Sequence, residues 1–165
     1  MKKLFRYSMM LAVMMAAVFT FTACGSDDKD DLPDGYVETQ TGVHRIEVAF
    51  DGNTAGWEGQ IMFLATNGTS HNVAIYKDGS LVGTDGGVST EELKNITAES
   101  EKACDMMQVS VMLMNMSHKA VSPVTVTLKG YVNGTQKNMK VVEIPATETY
   151  KTIIFNAEDI GADLI

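Results

Sequence analysis

Cysteine is nearly absent from this chain: Cys24 and Cys104 are the only two in 165 residues. A disulfide framework is therefore excluded, and a hydrophobic core has to hold any fold. Motifs that place a nucleophile, a phosphate or a catalytic zinc ion are also missing. The sequence contains no G-x-S-x-G, no G-x-x-x-x-G-K-[ST], no H-E-x-x-H and no G-x-G-x-x-G. An acid pair for glycoside hydrolysis is defined in space and not by spacing. The dense acids Glu91, Glu92, Glu99, Glu101 and Asp105 read as a solvated face and loop. The expectation is a protein that is not an enzyme. No apolar run reaches the roughly 20 residues that a membrane-spanning helix needs. The longest, Met9 to Ala23, has 15 residues without a charge.

That run is the centre of the N-terminal segment. Lys2, Lys3 and Arg6 precede it, and Phe21-Thr22-Ala23 ends it on a small residue before Cys24. A basic start, a short apolar middle and a small-residue end form an export signal, so residues 1–23 are expected to be removed. The Ala23-Cys24 junction resembles the lipobox of bacterial lipoproteins, although Phe21 and Thr22 depart from its usual residues. The resemblance implies a diacylglyceryl group on the Cys24 thiol and an acyl chain, such as palmitate, on its new amine. No other cofactor is expected. Ser26-Asp27-Asp28-Lys29-Asp30-Asp31 follows directly and resembles the export signal of Bacteroidetes surface lipoproteins. That resemblance, confined to residues 1 to about 31, implies the outer face of the outer membrane. The same acids also make a solvated linker, because like charges repel and extend a chain.

The signal contains three of the 13 Lys and Arg and none of the 21 Asp and Glu, which leaves ten bases, 21 acids and a net charge of −11 from residue 24 onward. An acidic surface of this kind argues against nucleic acid or anionic headgroups as partners. The membrane is expected to be met through the lipid alone. With Cys24 acylated, Cys104 has no partner for a disulfide and is expected to be a buried, inert thiol.

Residues 24–40 lack hydrophobic periodicity and read as a tether, and residues 41–165 as one domain. The domain is a series of short apolar segments separated by turn signals. Val43 to Phe50 alternates, with His44, Ile46, Val48 and Phe50 on one side. Gln60 to Thr66 is a continuous run, as in a strand buried on both faces. Asn72 to Lys77 and Ser80 to Gly83 flank Asp78-Gly79, a tight hairpin signal. Met106 to Ser117, Val124 to Val132, Lys137 to Ile144 and Thr147 to Phe155 complete the set, with Asn133-Gly134 as a second hairpin signal. Seven or eight strands joined mostly by hairpins predict an all-β fold, an antiparallel β-sandwich of immunoglobulin-like or jelly-roll style. One short crossover helix is expected near Thr90 to Ala98, because Ser89-Thr90-Glu91-Glu92 has the form of a capping box.

Two constellations carry possible chemistry. Trp57, the only tryptophan, lies in a glycine-rich loop with Asp51, Asn53 and Glu58. An exposed ring there would stack on a sugar with the polar residues beside it, whereas a buried ring would plug one end of the sandwich. The start of this loop resembles a calcium loop, but Ala55 and Met62 stand where acidic ligands are required, so a turn is the better account. Met112, Met114, Met116 and His118 alternate, and on one strand they would share a face. Thioethers with an imidazole suit Cu(I); the simpler account is that the methionines fill the core. The expected role is a lipid-anchored envelope protein that binds a glycan or another envelope protein. A copper-handling protein using the Met112 to His118 stripe is the rival.

Overall fold

A computed structural model describes residues 40–68, 71–83 and 87–159, all within the compact unit Gly35–Ile165. Cys24, the signal and most of the tether lie outside the described residues. Eleven strands run along the described residues: β1 His44–Gly52, β2 Glu58–Asn67, β3 His71–Asn72, β4 Ile75–Lys77, β5 Ser80–Gly83, β6 Gly87–Thr90, β7 Ile96–Ser100, β8 Met106–Met114, β9 Val124–Val132, β10 Thr135–Ile144 and β11 Tyr150–Asn156. All pairings are antiparallel. One sheet has the order β10-β9-β1-β7-β4-β5; the other has β11-β8-β2-β3, with β6 also on β2. The architecture is a β-sandwich.

Period-two alternation explains the layers. His44, Ile46 and Val48 of β1, and Val124, Val126 and Leu128 of β9, point into the core. They meet Ile61, Phe63 and Ala65 of β2 and Met107, Val109, Val111 and Leu113 of β8. β8 is central in its sheet and is buried on both faces over its second half, as its near-continuous apolar sequence requires. β2 is less extreme: Gln60, Met62 and Leu64 stay half-buried between its buried positions.

The two hairpin signals behave as their residues dictate. Asp78 and Gly79 have φ of 48° and 81°, and Asn133 and Gly134 have 49° and 79°. Two successive positive φ values define the type I′ turn that matches strand twist. Between β3 and β4 the chain leaves one sheet for the other, so the expected single strand Asn72 to Lys77 is two short ones. Much of the excess over eight strands comes from such short pieces.

The expected helix is replaced by β6, a turn and β7. Ser89 and Thr90 pair with Met62 and Ile61 of β2. The Thr90 hydroxyl accepts the Glu92 amide at 3.2 Å, a local turn that competes with helix initiation. Beyond it Ile96, Ala98 and Ser100 alternate inward with Thr97 and Glu99 outward. Among the described residues there is no helix.

Candidate functional site

At the end where the described chain begins, three residues with chemically capable side chains lie together. His44 starts β1, Ser100 ends β7, and Cys104 forms an isolated bridge with Gly42. The His44 amide donates to the Ser100 hydroxyl at 3.0 Å, and its Nε2 lies 2.9 Å from the Gln40 carbonyl. A carbonyl only accepts, so Nε2 carries the hydrogen and Nδ1 the lone pair. That Nδ1 is buried with no hydrogen-bond partner among the described residues. The Cys104 thiol is 0% exposed. Burial pushes its pKa up, against the lowering effect of hydrogen bonds from Ser100 and from the His44 and Met106 backbone. A protonated thiol without solvent contact is a poor nucleophile. The sequence placed His44 far from Cys104, and only the sheet register brings them together. Alternation along each strand does mark His44 and Ser100 as inward-facing.

The opposite end holds the loops. Trp57 is 7% exposed and belongs to the core cluster. Its ring therefore plugs this end, the second of the two readings above, and offers no stacking face to a sugar. Asp51, Asn53 and Glu58 are exposed but surround no ring surface. Asn53 Oδ1 accepts the Ala55 amide at 2.9 Å, and the Trp57 amide donates to the Thr54 carbonyl, so the loop is closed by its own turns. Gly56 has φ of 87°, and a Cβ there would lie 2.4 Å from the Lys119 carbonyl oxygen. Only glycine lets this turn press on the loop after β8. That loop is pinned by buried Asn115, whose side chain donates to the Ala146 carbonyl at 2.8 Å and accepts the Ala120 amide at 3.1 Å.

The methionine stripe is also revised. β8 ends at Met114, so Met112 and Met114 share the outward face of their sheet and are buried there. The chain then turns at Asn115, whose carbonyl accepts the His118 amide, and His118 has φ of 51°. Period two is lost at this turn. Met116 is 69% exposed, and Met116 and His118 do not continue the face.

The outer face of the six-stranded sheet carries a third polar group. The Arg45 guanidinium sits 4.2 Å from the Tyr131 ring centroid and 3.3 Å from Glu47, which also accepts from the Tyr131 hydroxyl at 3.2 Å. The Arg45 and Glu47 charges pair with each other and the ring takes one face of the guanidinium, while Arg45 Nε is buried with no hydrogen-bond partner among the described residues.

A buried thiol beside a hydroxyl, a plugged loop end and an ion-paired outer group belong to a β-sandwich module, and comparison with known proteins places it among structures of the same fold. No family model matches the chain, and no curated protein matches it. Among solved structures it is similar to a domain of unknown function, DUF4425, from Bacteroides vulgatus, with TM-score 0.61 and 16% identity over 72% of this chain and 97% of that one. A DUF4425 family protein from Bacteroides ovatus gives TM-score 0.59 and 22% identity over 71% and 94%. A protein from Parabacteroides distasonis, solved in its calcium-bound form, gives 0.56 and 16% over 78% and 100%. At these identities the likeness is one of fold. Calcium takes six to eight oxygen ligands. Among the described residues of this chain no group of three or more His, Cys, Asp or Glu side chains is placed to hold a metal ion.

Proposed function

We propose that the chain is a lipid-anchored envelope lipoprotein whose β-sandwich serves as a non-catalytic binding or structural module on the outer face of the outer membrane. One observation carries this: Cys24 stands between a 15-residue uncharged apolar run and the acidic run Asp27 to Asp31. Several acyl chains on one cysteine, at about 0.8 kcal/mol per buried CH₂, make membrane attachment effectively permanent. The fold supports the reading in a second way. The described chain starts at Gln40, whose amide bonds the Glu158 carboxylate at 2.8 Å. The tether thus joins one end of the sandwich, and the loops after β1 and β8 lie at the other. The mechanism is presentation: lipid holds the protein, acidic linker spaces it, and the sandwich meets a partner.

The test is direct. Cys24→Ser should release the protein from membranes, and external protease on intact cells should digest the domain. Retention of the Cys24→Ser protein in the membrane fraction would overturn the anchor. Protease resistance on intact cells, with digestion after lysis, would move the domain to the periplasmic side.

A further inference from the structure

Among the described residues β10 pairs with β9 alone and β11 with β8 alone, so both sheets end on an unpaired strand there. The two edges lie on the same flank. The Asn138 side chain of β10 donates to the carbonyls of Asn156, at the end of β11, and of Glu158, at 3.0 and 3.3 Å. Every second residue of an edge strand turns its N–H and C=O outward, which is a template for another strand. With ten and seven residues, these edges are long enough to use it.

The side chains on this flank have a pattern. On the outward faces Met139 and Val141 of β10 and Tyr150 and Ile154 of β11 are large, apolar and exposed. These are four of the eight exposed large hydrophobic residues among the described part of the chain. The inward-facing positions are different. Lys140 stands opposite buried Leu128 and Lys151 opposite buried Leu113, so register aims both at the core side, yet both are exposed at its open margin. Lys137 is the extra residue where the β9–β10 register shifts. Three of the ten basic residues from residue 24 onward thus lie on one flank of a stretch whose net charge is −11. Glu143 and Glu148 stand with Lys151 at the end of the flank where β11 begins, and Glu158 stands with Lys137 at the other, which leaves Lys140 the middle.

A second copy of this chain is a poor occupant. Antiparallel pairing of β10 with itself about Lys140 sets Lys140 against Lys140, and directly opposed like charges are destabilising. An acidic strand has the complementary charge. The ionic atmosphere screens beyond about 8 Å, so contact lysines outweigh the distant net negative charge.

We propose that the β10–β11 flank binds an extended segment of a partner protein whose side chains alternate apolar and acidic. The apolar residues would lie beside Met139 and Val141, the acidic ones opposite Lys140 and toward Lys151, and the backbone would extend the six-stranded sheet. This deepens the binding-module reading and is independent of the anchor. Loss of lipid from Cys24 would leave it standing, and failure of strand binding would leave the anchor standing.

The test uses the purified full chain and two synthetic eight-residue peptides, alternating Val-Asp and alternating Val-Lys. Amide exchange is followed along β10, with binding measured in parallel. The Val-Asp peptide should slow exchange at the outward amides of β10 and bind the chain more tightly than Val-Lys. The double variant Lys140→Glu, Lys151→Glu should lose about tenfold affinity for Val-Asp and gain affinity for Val-Lys, a charge-pair effect. Both lysines are exposed, and an unchanged circular dichroism spectrum would show that the variant is folded. Equal binding of both peptides, no protection at about 1 mM peptide, or β10-mediated dimers of the unmodified chain would each overturn the proposal. If the double variant does not fold, Lys140→Gln and Lys151→Gln made singly must each weaken Val-Asp binding, and unchanged binding would likewise overturn it.

Discussion

The two flanks of the sandwich solve the same problem differently. On one flank the outer strands are short: β5 has four residues, β6 four and β3 two. A short edge gives another chain little backbone to copy, so no special side chains are needed. On the other flank β10 and β11 are long, and they carry lysines at inward positions and a register shift at Lys137. There the backbone template is present and charge decides what is admitted. Edge length and edge charge are thus traded against each other within one domain, and the long flank is the one with capacity for selective contact.

The largest expected effect is on the core that supports both flanks. Phe63 of β2 is fully buried and stands opposite Val88 of β6 and Val109 of β8. Phe63→Ala should cost about 3–5 kcal/mol, read by denaturant unfolding, and a loss below about 1 kcal/mol would mean that the sheets are not held by this cluster. Next is the closure of the long flank. A Cβ at Gly130 would lie 2.1 Å from the Ala157 carbonyl oxygen. Gly130→Val should cost about 1–3 kcal/mol by overpacking and speed amide exchange selectively in β10 and β11. Equal acceleration in β5 would erase the distinction between flanks. Replacing both guards, Lys140→Val with Lys151→Val, should produce more dimers or larger species in sedimentation than the original chain forms. Leu81→Ala on the short flank should leave the sedimentation unchanged.

The smallest effect is on pH. Burial raises the Cys104 thiol above its ordinary value, so the unfolded chain releases this proton first as pH rises. The unfolded state then binds fewer protons than the folded one, and stability falls with increasing pH above about 8.5. Cys104→Ala should remove that alkaline slope, whatever it costs in packing. An identical slope in the variant would assign the effect to another group.

Much of this fold was legible in the sequence. Val124 to Val132 was predicted with its observed ends, because strict alternation and the Asn133-Gly134 turn fix it. The Asp78-Gly79 hairpin was equally plain. The Ser89 to Glu92 segment misled because the hydroxyl and carboxylate spacing of a capping box also occurs in a turn, and pairing with β2 overrode the local signal. The sites were less legible. Alternation after Met112 continues in the sequence to His118, but the strand stops at Met114 where Asn115 bonds across two loops. Trp57 sits among glycine and polar residues, and only its depth in the packed sandwich shows that it is a plug. The meeting of His44, Ser100 and Cys104 and the placing of Lys140 and Lys151 on one flank depend on which strands pair. That information is spread over residues far apart in the chain.

The proposed envelope role, unlike strand binding at the long flank, requires that the N-terminal segment anchor the domain through Cys24. Mass spectrometry of the N-terminal peptide from membrane-purified protein tests this most directly. The account predicts a peptide that begins at Cys24 and carries diacylglyceryl and acyl groups. A Cys24 with a free thiol, or a peptide that retains Phe21-Thr22-Ala23 ahead of it, would contradict it.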